Sequence, residues 1–261
     1  MNEPVSNAPE VVLHGDAELL AQRTAERTVA TLGLALAERD EAHLVITGGS
    51  ILEAVLGALP AATKDAPVDW KRVHVWWGDE RYVPAGDDDR NDRPAMAKAF
   101  DELPVQDDHL HPMPPSDAGF GDDIDAAATS YADELAAAAD PEDSPGGIRV
   151  PAFDVVLLGL GPDGHCASLF PGHPGTRVRD RSVIGVRDSP KPPPNRLSLT
   201  FPALDAAREI WFIASGAGKA DAVARALGGA PPEEVPSAGP RGTERTLWLL
   251  DAAAAARLPA E

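Results

Sequence analysis

The sequence predicts an α/β protein with a Rossmann-like, mainly parallel sheet flanked by helices. Short apolar runs of strand length alternate with segments of helical period along almost the whole chain, the pattern of a parallel sheet with crossover helices. Some runs are apolar throughout, Val155 to Leu158 most clearly, as a strand buried on both faces requires. Polar, glycine-bearing turns follow several of these runs, at Gly48-Gly49-Ser50, Gly78, Gly159 to Gly164 and Ser215 to Lys219. Open α/β sheets bind ligands beyond the carboxyl ends of their strands, so chemistry is expected at those turns.

Composition narrows the class. A chain of 261 residues suits one α/β domain, read here over 11–261, with a disordered N-terminus over 1–10. The net charge of -19 argues against nucleic acid, whose phosphates it would repel. No apolar run reaches membrane-spanning length, so no membrane is expected. Met1 to Glu10 is polar and acidic and does not read as a signal peptide. Cys166 is the one cysteine, which excludes an internal disulfide and fits the cytoplasm. Only five lysines occur, which makes Lys219, beside a glycine turn, conspicuous.

Taken in order, Val11 to Leu13 is a short strand, and Asp16 caps a helix over 17–38 with Leu20, Val29, Leu32 and Leu36 on its apolar side. His43 to Thr47 is a buried strand leading through Gly48, Gly49 and Ser50 into a helix over 51–59. The exposed N–H groups and positive end of that helix suit a phosphate; a tight turn capped by Ser50 is the alternative. Val73 to Trp77 is a third strand, followed by a polar loop over 78–84. In that loop Arg81 offers a planar fork to phosphate or carboxylate, and Asp79 is either catalytic or the partner of Arg81. An acidic, flexible run over 85–91 precedes a helix over 93–100. His109 and His111 lie on a strand edge and read as structural or exposed rather than as ligands.

A helix over 122–139 and a loop over 141–147 lead to the strand at Val155. Strands follow at 183–186 and, in period two, at Arg196 to Thr200, leaving room for a small strand-rich lobe between residues 100 and 200. The strand Glu209 to Ile213 meets the Ser215 to Lys219 loop and a helix to Leu227. That loop is no Walker A motif: Ile213 stands where the first glycine belongs and Ala220 where the Ser/Thr belongs. A proline-rich excursion over 231–242, a strand over 246–250 and a closing helix over 251–257 complete the reading.

The organising stretch is Phe153 to Pro171. Gly159, Gly161 and Gly164 fit the spacing of a dinucleotide fingerprint, but Pro171 and Gly172 end any helix within two turns, and no strand leads to Asp180. Asp163 and His165, two residues apart, are the candidate chemistry. Histidine can activate water and protonate a leaving group, with Asp163 holding the ring. Two alternatives stay open: Asp163 caps a short helix, or His165 satisfies a buried backbone group. On such a helix Cys166 would point about 100° away from His165, so it reads as a small packed residue. A metal held by Asp163, His165 and His173 lacks a convincing third ligand. Backbone N–H groups of Gly161 and Gly164 are candidate oxyanion donors.

The series Gly159, Gly161, Asp163, Gly164, His165, Ala167, Ser168, Phe170 and Pro171 resembles the signature of the 6-phosphogluconolactonase family, which is related to the glucosamine-6-phosphate deaminases. Resemblance extends, in the family's order, to Thr47 to Ser50, Gly78 to Pro84, Asn91, Asn195 to Thr200 and Gly216 to Lys219. It implies hydrolysis of 6-phospho-D-glucono-1,5-lactone by His165 with Asp163, without cofactor or metal, by a cytoplasmic monomer. Substrate contacts are expected from Gly48, Gly49, Ser50, Asp79, Arg81, Gly161, Gly164, Arg196 and Lys219. The deaminases carry Asn-Gly-His and a catalytic Glu five residues after the His; here Asp163 precedes Gly164-His165, and Phe170 stands five beyond, so deamination is not expected. A sugar-phosphate sensor on the same fold would need a DNA-binding module, for which the residues before Val11 are too few.

Overall fold

The computed structural model describes residues 8–66, 68–140 and 147–259. Its strands are β1 (Glu10–His14), β2 (Ala42–Ile46), β3 (Val73–Trp77), β4 (Asp79–Arg81), β5 (Leu110–His111), β6 (Val155–Gly159), β7 (Val183–Val186), β8 (Arg196–Leu199), β9 (Glu209–Ala214) and β10 (Arg245–Asp251). The α-helices are α1 (Ala17–Glu38), α2 (Ser50–Asp65), α3 (Asp92–Ala95), α4 (Ile124–Ala138), α5 (Phe201–Leu204) and α6 (Ala220–Leu227). Seven strands form one sheet in the order β1-β10-β9-β6-β2-β3-β5, and every pairing in it is parallel. The expected fold class is therefore observed.

The apolar runs explain the sheet's centre. Val155, Val156, Leu157 and Leu158 of β6 are all fully buried, as are Ile210 to Ile213 of β9. Each such large side chain removed from water contributes about 1.5–3 kcal/mol. Asp16 caps α1 as expected, accepting from Leu19 N–H at 2.8 Å. The part of the expected disordered N-terminus over 1–7 lies outside the described residues, and Glu10 already belongs to β1. Most of the expected loop over 141–147 lies outside them too.

The chain builds outward from β2 in two directions, to β3 and β5 on one side and to β6, β9, β10 and β1 on the other. Loops leaving β2 and β6 diverge over a crevice, the switch point where open α/β sheets bind ligands. Thr47 joins its two walls: its hydroxyl donates to Leu157 C=O at 3.1 Å and accepts from Gly159 N–H at 3.2 Å.

Several elements differ from expectation. The loop after β3 contains β4, which pairs antiparallel with β8, and β7 completes a three-stranded sheet. The strand-rich lobe therefore starts at Asp79, ahead of the expected window. β8 is buried at all four positions rather than alternately: α4 packs against it, and Ser198 Oγ accepts from Ser168 N–H of the turn after β6 at 3.2 Å. Residues 163–171 form turns and no helix; Cys166 bridges to Leu169, and Ala167 has φ 47°. Cys166 therefore has no helical direction, but its thiol is fully buried and burial pushes its pKa far up, so it is a packed residue. Residues 252–257 are turns instead of a closing helix. The Asp251 carboxylate accepts from Ala254 N–H at 2.7 Å and from Ser215 Oγ at 2.6 Å, which bends the chain back over the end of the sheet.

Candidate active site

Beyond β6 the chain reverses tightly. Gly164 N–H donates to Gly161 C=O and Gly161 N–H to His165 C=O, each at 2.9 Å. Gly164 has φ +89°, a conformation side chains disfavour, and a Cβ there would lie 2.7 Å from Val235. At Gly161 a Cβ would lie 2.0 Å from His165 Nδ1 and 2.3 Å from an Asp163 oxygen. The absent side chain is what lets the two groups meet: Asp163 Oδ1 is 2.6 Å from His165 Nδ1. A carboxylate only accepts, so Nδ1 carries the proton and Nε2 presents its lone pair. The imidazole tilts over the Phe170 ring at 4.8 Å between centroids.

Lys191 completes the group, with Nζ 3.4 Å from Asp163 Oδ1 and 3.2 Å from His165 Nδ1. Burial works to raise the Asp163 pKa. The hydrogen bond and charge of His165, with the Lys191 ammonium, outweigh it and hold the carboxyl well below the usual carboxylate range. Lys219 donates to Leu160 C=O; burial, aided by the charge of Lys191, lowers its pKa. Arg196 is buried, and burial lowers its pKa also. Its guanidinium donates to the carbonyls of Lys191 (3.2 Å), Pro192 (2.9 Å) and Pro193 (3.0 Å), so it holds the loop that carries Lys191.

The opposite wall is β4 and the residues behind it. Asp79 accepts from Ser168 Oγ at 2.7 Å and, among the described residues, forms no ion pair with Arg81. Arg81 sits opposite Arg196 across the β4–β8 pairing and donates to Asp89 C=O at 2.5 Å. Glu80 is fully buried and accepts from the N–H groups of Arg81 (2.7 Å), Asn91 (2.7 Å) and Asp92 (3.0 Å). Burial pushes its pKa up to about 7 against the Arg90 guanidinium and those N–H groups. The clamp sets Asn91 over Gly48, where a Cβ would lie 1.9 Å from the Asn91 side-chain oxygen.

These walls enclose a cleft of about 960 Å³ that Gly48, Gly49, Ser50, Asp79, Arg81, Gly161, His165, Lys191, Arg196 and Lys219 all line. Gly164 does not line it and serves the turn. His173 does not approach Asp163: its Nε2 meets Arg187 C=O at 3.0 Å and its Nδ1 accepts from Gly175 N–H at 3.3 Å, so the Asp163–His165–His173 metal set is not assembled.

Residues 15–248 match the family model described as glucosamine-6-phosphate isomerases/6-phosphogluconolactonase. The chain belongs to this family. A 6-phosphogluconolactonase of Streptomyces coelicolor is 49% identical over 255 residues, covering 98% of this chain and 97% of that protein. One from Mycobacterium tuberculosis is 48% identical over 244 residues, covering 94% and 96%. Among solved structures, a 6-phosphogluconolactonase of Trypanosoma brucei superposes with TM-score 0.80 at 27% identity, over 96% of this chain and 99% of that one.

Within the family's fold, Lys191, Ser168 and Glu80 join the site without standing out in the sequence. Lys191 carried a signal, since it is one of five lysines in an acidic chain and sits among prolines next to Arg196. The bond from Ser168 to Asp79 spans 89 positions and leaves no local pattern. Glu80 reads as a surface acid because the N–H groups it satisfies come from the far side of an acidic loop.

Proposed function

We propose that this chain hydrolyses 6-phospho-D-glucono-1,5-lactone to 6-phospho-D-gluconate, the second step of the oxidative pentose phosphate pathway, as a cytoplasmic monomer. The observation that carries the reading is the His165–Asp163 pair opening on a cleft lined by Lys191, Lys219, Arg81 and Arg196. His165 Nε2 takes a proton from water, and the resulting hydroxide adds to the lactone carbonyl. The carbonyl oxygen becomes an alkoxide, and collapse of the tetrahedral adduct breaks the bond to the ring oxygen. The imidazolium returns its proton to that oxygen, leaving the acid, which ionises in water. Asp163 keeps the ring in the required tautomer and offsets its transient charge.

Gly161 and Gly164 N–H groups are engaged inside the turn, so they are poor candidates for the oxyanion. The Lys191 ammonium, which lines the cleft beside the imidazole's Nδ1 side, is the candidate that remains. The phosphate is assigned to the first turn of α2, whose N–H groups have no intrahelical partner and whose N-cap, Gly49, offers no side-chain bond. Arg81 and Lys219 add charge there, and Arg196 acts through the Lys191 loop. Phe170 in place of an acid disfavours deamination. The test is turnover of freshly generated phosphogluconolactone beside unphosphorylated gluconolactone and glucosamine-6-phosphate. Rapid hydrolysis of the first, weaker hydrolysis of the second and no ammonia from the third are expected. Ammonia release without lactone hydrolysis would reverse the reading.

A further inference from the structure

The amino-terminal edge of the sheet holds a second cluster of chemically active side chains, remote from the cleft. Parallel pairing sets His43 of β2 opposite His74 of β3, and His109 and His111 arrive with β5. The hydrogen bonds among them determine which nitrogens carry protons. Glu134 Oε1 is 2.6 Å from His111 Nδ1, and a carboxylate only accepts, so His111 Nδ1 carries its proton. In neutral His111 the Nε2 is then an acceptor, and it lies 2.9 Å from His74 Nδ1, which must donate. Neutral His74 is left with a bare lone pair on Nε2.

That lone pair faces another one. His74 Nε2 is buried, makes no hydrogen bond and lies 3.4 Å from Glu41 Oε2. His109 Nδ1 is also buried without a hydrogen bond. One ligand atom from each of Glu41, His74 and His109 lies within 4.8 Å of the others. Three side chains that can each offer an electron pair are thus gathered at one place.

We propose that Glu41, His74 and His109 bind a divalent transition-metal ion, zinc in the first instance, with water at the remaining position. Two imidazoles and one carboxylate are a donor set that zinc accepts in tetrahedral geometry. Tetrahedral ligands at zinc distances stand about 3.3 Å apart, so the His74–Glu41 separation already fits. His109 closes the remaining distance by turning out of its 3.8 Å stack on the His74 ring. Its place in a one-turn 3-10 helix, Asp107–His109, at the molecular surface leaves room for that turn. The relay from Glu134 through His111 to His74 orients the ligand ring from behind, as metal-bound histidines require. The ion would pin the starts of β2, β3 and β5 together and take no part in lactone chemistry.

The test is metal titration of the full-length, metal-stripped protein, with zinc followed by calorimetry and cobalt(II) by visible absorption. One equivalent of zinc should bind, raise the melting temperature, and give an intense tetrahedral spectrum with cobalt. Glu41→Gln and His109→Gln, both near the surface, should each weaken zinc binding at least 10-fold while folding normally. Glu134→Gln touches no metal but can reverse the relay, and should weaken binding about 10- to 100-fold. His165→Ala should bind zinc as the parent does. Absence of stoichiometric binding in the parent overturns the proposal; so does binding that survives His109→Gln and disappears with His165→Ala.

Discussion

The two ends of the parallel sheet bear different chemistry for different structural reasons. At the carboxyl end, loops from β2, β6 and β9 and the small antiparallel sheet bring cations around one carboxylate–imidazole pair. At the amino end the register of β2 and β3 stacks His43 on His74 at 5.0 Å, and the short helix before β5 lays His109 on the His74 ring at 3.8 Å. Loops can be exchanged without disturbing a sheet, whereas side chains set by register move only if the sheet does. The carboxyl end is accordingly the reactive one, and the amino end is suited to holding something still.

That contrast can be broken by substitutions confined to one end. His165→Ala should have the largest effect, lowering kcat about 10²- to 10⁴-fold with the melting temperature unchanged. Near-parental kcat in this variant would remove the imidazole from the reaction. Gly161→Ala comes next: its methyl must displace His165 or Asp163, and a misplacement of about 1 Å costs about 10²-fold in rate. Steady-state kinetics should show the loss mainly in kcat, and a loss confined to KM would contradict the packing argument. Lys219→Ala should raise KM about 10-fold or more for the phosphorylated lactone and far less for gluconolactone, since a hydrogen bond to a charged group is worth about 1.5–3 kcal/mol. Equal effects on both substrates would mean that Lys219 does not read the phosphate.

The smallest effect concerns Glu80. Its folded pKa of about 7 lies above the ordinary 4.5, so between those values the folded state keeps a proton that the unfolded chain releases. Its contribution to stability is full below pH 4.5, declines as pH rises toward 7 by at most about 1.4 kcal/mol per unit, and then levels off. Denaturant titrations at pH 5 and 7.5 should show a smaller difference for Glu80→Gln than for the parent, although the variant is less stable at both. An unchanged difference would mean that Glu80 does not titrate there.

The main sheet and the Asp163–His165 turn were legible because they rest on local patterns: apolar runs of four or five residues, and glycines at positions where a side chain would collide. In the small sheet β7 and β8 were legible as strands; β4 was not, because it is three residues long and pairs with β8 more than a hundred positions away. The expected closing helix over 251–257 failed for a related reason. Its alanines favour helix, but Asp251 uses its carboxylate on Ser215 and Gly216, which no window around residue 251 contains. Arg196 was expected at the substrate, and it does line the cleft, but its bonds to the 191–193 carbonyls depend on how that loop folds back.

The position of β10 has a consequence for how the protein is made. It lies between β1 and β9, and among the described residues β1 pairs with no other strand, so β1 has no partner until residue 245 and its successors emerge from the ribosome. The turn holding Asp163 and His165 waits as well. Gly164 C=O accepts from Ser237 N–H at 2.9 Å, Gly172 N–H donates to Glu233 C=O at 2.7 Å, and Val235 packs against Gly164. A nascent chain halted near residue 225 can contain every residue of the candidate catalytic pair and still lack the contacts that shape it. Activity should therefore appear late, after release of the C-terminal segment, and long-range pairing of this kind makes the last step of assembly slow relative to formation of the helices.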